Sequence, residues 1–163
     1  MSIQRGDAIP TVTLFDLDAS GTPQAVSAAE RLAGKRIVLF AVPGAFTRTC
    51  SEKHLPSFVH HAEAIKAKGV DEIVCVAVND PMVMAAWARE YGAAGTISML
   101  SDGLCEFTRA LGLEQDLSSR GYGMRSKRYA MLIEDGKVAE ISVEPPGEYG
   151  ISSGEAMLQR LGA

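Results

Sequence analysis

The sequence has little cysteine. Three residues, Cys50, Cys75 and Cys105, are scattered through 163, with no Cys-x-x-Cys pair and no Cys/His set at zinc-finger spacing. An odd, widely spaced set excludes the even disulfide framework of a small secreted scaffold, and it supplies no structural metal site. Free thiols in a reducing compartment follow, and a cytoplasmic location is expected. Charge of one sign is also scarce: the formal net charge is -4 and no basic run exceeds Arg125-Ser126-Lys127-Arg128, so a nucleic-acid partner is not expected. The segment Met1 to Asp7 lacks the apolar core of a secretory signal, and no run of about 18 apolar residues is present to span a bilayer. There is no phosphate loop, and the glycines near Gly121 and Gly123 complete no dinucleotide fingerprint, so neither a cofactor nor a metal is expected. Without internal repeats, low-complexity tracts or a long linker, residues 1–163 read as one domain large enough to bury its own core.

What is present is an ordinary globular mixture, 47% hydrophobic and 22% charged. Ile37 to Val42 is a short, branched apolar run of the kind that forms a buried central strand, and Pro43-Gly44 ends it. From Cys50 the apolar positions Leu55, Phe58, Val59, Ala62 and Ile65 recur at helical steps, which predicts one helix of about 17 residues kinked at Pro56. Thr49-x-x-Glu52 reads as its capping box. A second buried strand, Glu72 to Asn79, leads through Asp80-Pro81 into a helix from Met82 to Tyr91. A strand at Ile97 to Leu100 and a short helix from Cys105 to Leu111 come next. Asp135-Gly136 marks a hairpin between two alternating runs, and Ser152-x-x-Glu155 caps a last helix through Leu161. This order predicts an α/β chain of thioredoxin-like fold, a central mixed sheet with helices on both faces.

Cys50 carries the chemistry. In the first turn of a helix a cysteine faces unpaired backbone N–H groups and the positive end of the helix dipole, which favour the thiolate. A redox thioredoxin would place a second cysteine three residues earlier, where this chain has Thr47; a hydroxyl orients an oxygen or sulfur atom but forms no disulfide. His54 follows by one turn and reads either as a dyad partner or as helix packing, whereas His60 and His61 read as a solvated face.

Pro43-Gly44-Ala45-Phe46-Thr47-Arg48-Thr49-Cys50 resembles the active-site signature of the peroxiredoxins, Pro-x-x-x-Thr-x-x-Cys, with Arg48 where that family often has proline. His54-Leu55-Pro56, Val78-Asn79-Asp80, Arg125-Ser126-Lys127-Arg128-Tyr129 and Val143-Glu144-Pro145 resemble the type II, or atypical two-cysteine, branch over nearly the whole chain. The resemblance implies a peroxidase for hydrogen peroxide and small alkyl hydroperoxides, with Cys50 as nucleophile and Thr47 bonding thiolate and peroxide. It implies that Pro43 shields the pocket and that Arg125, rather than Arg128, lies beside Cys50. It also implies a homodimer through Phe46 and the Pro81 region.

Peroxide attack turns Cys50 into a sulfenic acid that a further thiol must reduce. The resemblance offers Cys75, at the position of a plant-type second cysteine, but Cys75 lies in the most uniformly apolar strand, so direct rescue needs the Cys50 helix to shift. The alternative is an external thiol, from glutathione with glutaredoxin or from thioredoxin. Cys105 has no supporting motif and reads as a spectator. Two other functions share the fold: thiol–disulfide exchange, which the missing second active-site cysteine disfavours, and a redox-gated binding module.

Overall fold

The apolar strand runs recognised in the sequence form the centre of a seven-stranded sheet. The computed structural model describes residues 2–162. Strands β1 (Thr13–Leu17) and β2 (Pro23–Ser27) form an antiparallel pair, followed by the short helix α1 (Ala28–Arg31) and the central strand β3 (Arg36–Ala41). A π-helical turn (Cys50–His54) leads into α2 (Leu55–His60) and α3 (Ala62–Ala67), then β4 (Glu72–Ala77), α4 (Pro81–Glu90), β5 (Ser98–Ser101) and α5 (Glu106–Leu111). A small ribbon of β6 (Glu114–Asp116) and β7 (Met124–Ser126) precedes the hairpin β8 (Tyr129–Glu134) and β9 (Lys137–Val143), and α6 (Gly154–Gly162) ends the chain.

The large sheet runs β2-β1-β5-β4-β3-β8-β9, with β3, β4 and β5 parallel and the other pairings antiparallel. Because side chains alternate along each strand, the buried β3 feeds two cores. Val38 and Phe40 face a layer containing Phe58, Trp87 and Met157, whereas Ile37 and Leu39 face Phe107 and Leu111. The predicted mixed sheet with helices on both faces is the one observed. The β1–β2 pair and the β6–β7 ribbon have no counterpart among the predicted elements, since neither carries an alternating apolar pattern strong enough to read. No helix among the described residues is long and apolar enough to cross a membrane.

Local signals hold where no tertiary contact competes. Asp80 caps α4 by accepting from Val83 N at 2.9 Å, with Pro81 at the first helical position. Asp135 and Gly136 both take the left-handed conformation (φ 46° and 77°) that a two-residue hairpin turn requires.

Other signals are displaced. The single kinked helix is instead a π-helical turn, α2 and α3, broken at His61 (φ -102°, ψ 9°). Pro56 has no N–H and its ring crowds the carbonyl four residues back, and the widened turn before it relieves both defects. The cap of α6 comes from Ser153, which accepts from Ala156 N at 3.0 Å, and not from Ser152. Ser152 is drawn away because its hydroxyl satisfies the buried Glu144 carboxylate, at 2.7 Å.

The strand register positions the functional residues. In the antiparallel β3–β8 pair, Phe40 lies opposite Ala130 and Ala41 opposite Tyr129. Arg128 therefore enters at the carboxyl end of β3, where the chain turns toward Cys50. In the parallel β3–β4 pair Phe40 lies beside Cys75, so Cys75 joins Cys50 in the core under α2.

Candidate active site

Beyond Val42 the chain makes a tight loop before the helix. A Cβ at Gly44 would lie 2.5 Å from Arg125 Nη1 and 3.2 Å from Thr47 Cγ2, so the Arg125 guanidinium packs against this glycine where a side chain would displace it. Phe46 takes a left-handed conformation (φ 64°), uncommon for a bulky residue, and its ring is half exposed (50%). Ala45 N donates to Asn79 Oδ1 at 2.8 Å, which ties the loop to the chain beyond β4. Ser51 N donates to Thr47 O at 3.0 Å, so helical bonding begins at Thr47 and Cys50 lies in the first turn, as the sequence predicts. The Thr49 capping box does not form. Thr49 is already helical (φ -64°, ψ -36°) and its side chain makes no capping bond.

Cys50 is fully buried. Arg128 Nη2 donates to Cys50 Sγ at 3.2 Å, and Nη1 of the same guanidinium donates to His54 Nδ1 at 2.9 Å. His54 is also fully buried, packed between Phe40 (ring centroids 5.0 Å apart) and Tyr149 (5.4 Å). Burial first, then the Arg128 charge, push its pKa down to about 3. His54 is thus a neutral imidazole whose Nδ1 accepts from Arg128 and whose Nε2–H donates to Ser152 O at 2.8 Å. Ser152 is held in turn by Glu144, whose Oε2 accepts from Ser152 N (2.8 Å), Ser152 Oγ (2.7 Å) and Gly150 N (2.7 Å). Gly154 lets α6 approach α2 closely, since a Cβ there would lie 2.4 Å from Ser57 O.

The expectation for Arg125 is corrected: Arg128, not Arg125, touches Cys50. Arg125 lies on β7, and its Nη1 donates to Pro43 O (3.0 Å) and its Nε to Tyr122 O (2.9 Å). The cause is register. Arg128 immediately precedes β8, whose first residue pairs with the last of β3, whereas Arg125 belongs to the separate ribbon. Arg125 supports the Pro43-Gly44 turn from outside.

Thr47 lies at the expected offset, but its hydroxyl donates to Gly44 O at 2.7 Å; among the described residues the side-chain donor on Cys50 Sγ is Arg128. Pro43 is half-buried and lines a surface cavity together with Thr49 and Arg128. Arg48 is exposed.

Cys75 is a free, fully buried thiol. Burial raises its pKa well above the ordinary value, and the nearby Cys50 pushes the same way. Cys105 is also free and buried, and burial raises it too. Its backbone is left-handed (φ 60°), and the donors that begin α5 are met by Asp102, which accepts from Phe107 N (3.1 Å) and Thr108 N (2.8 Å). Among the described residues no group of three or more His, Cys, Asp or Glu side chains could hold a metal ion.

The relay from Glu144 through Ser152 and His54 to Arg128 is not legible in the sequence. The spacing of His54 from Cys50 and the Val143-Glu144-Pro145 motif were its signals, but nothing local joins them.

The model of the Redoxin family matches residues 4–158. Peroxiredoxin-2B of Arabidopsis thaliana is 46% identical over 156 residues, covering 96% of each chain, and Peroxiredoxin-2C of Oryza sativa subsp. japonica is 48% identical over the same length and coverage. Among solved structures, reduced Prx3 of Vibrio vulnificus in complex with H2O2 superposes with a TM-score of 0.93 at 47% identity, covering 98% of this chain and 99% of that one.

The buried neutral histidine has a measurable consequence. The unfolded chain binds a proton at His54 near its ordinary pKa of about 6.5, whereas the folded chain resists it down to about 3. The His54 contribution is therefore present above about pH 6.5 and is lost as pH falls toward 3. Chemical denaturation between pH 7 and 4 should show stability falling, and His54→Asn should reduce that slope; an unchanged slope in the variant would contradict the assignment.

Proposed function

We propose, from the premise that this chain belongs to the Redoxin family and is a peroxiredoxin, an oxidoreductase that reduces peroxides at the expense of thiols, that Cys50 is its peroxide-attacking nucleophile and Arg128 the group that activates it. The observation that carries this reading is the Arg128 guanidinium on Cys50 Sγ, 3.2 Å away in a buried site at the first turn of a helix. A fixed cation beside the sulfur places N–H donors where negative charge develops on the departing oxygen. His54 is a positioning residue: as a neutral acceptor it aims Arg128 without neutralising its charge. The Thr47 hydroxyl shapes the loop, and its free lone pairs accept from the peroxide O–H. Pro43 limits the access of water.

The thiolate attacks one peroxide oxygen, the O–O bond breaks, and Cys50 leaves as sulfenic acid while the released oxygen takes a proton. Cys75 is poorly suited to reduce that product, because burial holds it as a neutral thiol and the attacking species in thiol exchange is the thiolate. The reductant we propose is an external thiol, glutathione with glutaredoxin or thioredoxin.

Phe46 and Tyr91 meet edge to face, 6.3 Å apart, and both are exposed, as is Met82 beside Pro81. Exposed aromatic and methionine side chains next to an active-site loop suit an interface. We propose that this face forms a homodimer.

Three measurements test these readings. Cys50→Ser should abolish peroxide consumption, and Arg128→Ala should lower kcat/KM by about 10²–10³-fold, as removal of a transition-state donor does. Arg125→Ala should cost markedly less, and equal losses would reject the choice of Arg128. Cys75→Ser should turn over undiminished with glutathione/glutaredoxin or with thioredoxin; loss with both would make Cys75 an obligatory partner. Sedimentation should give a dimer for the wild type and a monomer for Phe46→Glu, and a monomeric wild type would dismiss the interface.

A further inference from the structure

At Arg128, whose guanidinium bonds the Cys50 sulfur, the surface opens into a cavity of about 520 Å³ walled also by Pro43 and by Thr49, the residue before Cys50. A water occupies about 30 Å³ of liquid and hydrogen peroxide not much more, whereas pockets for organic ligands span roughly 300–1,000 Å³. The space is thus sized for a substrate with a body. Its charge is also distinctive. Lys53, Arg120 and Lys127 line it along with Arg128, although the whole chain carries a formal net charge of -4. Among the described residues none of Lys53, Arg120 and Lys127 joins an ion pair. Two carboxylates share the wall: Glu144 is buried and committed to Gly150 and Ser152, and Glu148 is exposed. Leu117, Pro145, Pro146 and Tyr149 add apolar surface.

We propose that this cavity is a carboxylate subsite for an organic hydroperoxide, whose –OOH end reaches Cys50 while its carboxylate rests among Lys53, Arg120 and Lys127 and its hydrocarbon lies against Pro145, Pro146 and Tyr149. The inference rests on Cys50 being the peroxide nucleophile. The chemistry balances without a further reactant: the thiolate bonds to the terminal oxygen, the O–O bond breaks, Cys50 becomes S–OH, and the alkoxide takes a proton from water to leave as a hydroxy acid. Sulfur is oxidised by two electrons and the peroxide reduced by two. The cationic cluster adds attraction for the anion, which rises at low ionic strength and is screened by salt.

The test is stopped-flow oxidation of the reduced protein, followed by emission of Trp87, the single tryptophan, whose Nε1–H donates to Ser51 next to Cys50. A carboxyalkyl hydroperoxide, its neutral methyl ester and hydrogen peroxide are compared. The acid should react about tenfold faster than the ester at low salt, with the preference shrinking as salt is added. Lys53→Glu/Lys127→Glu should lose the preference while keeping its rate with hydrogen peroxide, and Lys53→Arg/Lys127→Arg should retain both. Equal rates for acid and ester in the wild type, or a preference that survives the double glutamate change, would overturn the subsite. Charge dependence confined to the later reduction by a carboxylate-bearing thiol, against its ester, would assign the cavity to the reductant and also overturn it. Failure of the wild type to react even with hydrogen peroxide would reject the peroxidase reading of Cys50 instead.

Discussion

The Arg128 guanidinium is shared between a sulfur and an imidazole, and the geometry of the site follows from how it is held. One Nη donates to Cys50 Sγ at 3.2 Å and the other to His54 Nδ1 at 2.9 Å, both inside the core. A cation brought into such surroundings needs partners for its donors, because an unsatisfied buried charge is costly. A carboxylate would satisfy it but would also neutralise the charge that the sulfur requires. A histidine held neutral by burial provides an acceptor with no net charge, so the positive field on Cys50 survives.

Holding the imidazole neutral and correctly turned requires more of the fold than the helix on which it sits. The π-helical turn before Pro56 sets His54 beneath Cys50, Phe40 and Tyr149 pack its ring, and Ser152 O takes its remaining proton. Ser152 is fixed by Glu144, a buried carboxylate that accepts from two backbone N–H groups and a hydroxyl. The segment from β9 to α6 thus serves as the outer support of a site whose nucleophile lies about a hundred residues earlier in the chain. The close approach of Gly154 to Ser57 anchors that segment against α2.

The same arrangement accounts for the separate characters of the three cysteines. Cys50 has a cation at its sulfur, Cys75 has the apolar interior of the sheet, and Cys105 lies under a loop beside Asp102. Burial raises the pKa of Cys75 and of Cys105, whereas Cys50 has a guanidinium bonded to its sulfur, so chemical similarity along the chain does not make the three equivalent. A positive mouth on an acidic protein extends the same economy of charge to the surface around Cys50.

By itself the sequence determined the features that depend on near neighbours. The buried runs of β3 and β4, the Asp80-Pro81 helix start, the Asp135-Gly136 turn and the place of Cys50 in the first turn of a helix all follow from residues within a few positions of each other. It also located Glu144 and His54 without joining them. It misjudged the Thr49 and Ser152 caps, because a capping side chain is chosen by competition: the Thr47 carbonyl already accepts from Ser51, and Glu144 claims the Ser152 hydroxyl. The choice between Arg125 and Arg128, which stand three positions apart in one short basic cluster, is not made locally. That choice depends on the pairing of β8 with β3, set by which faces of distant strands bury together, and a strand register is a property of two segments that neither one encodes alone.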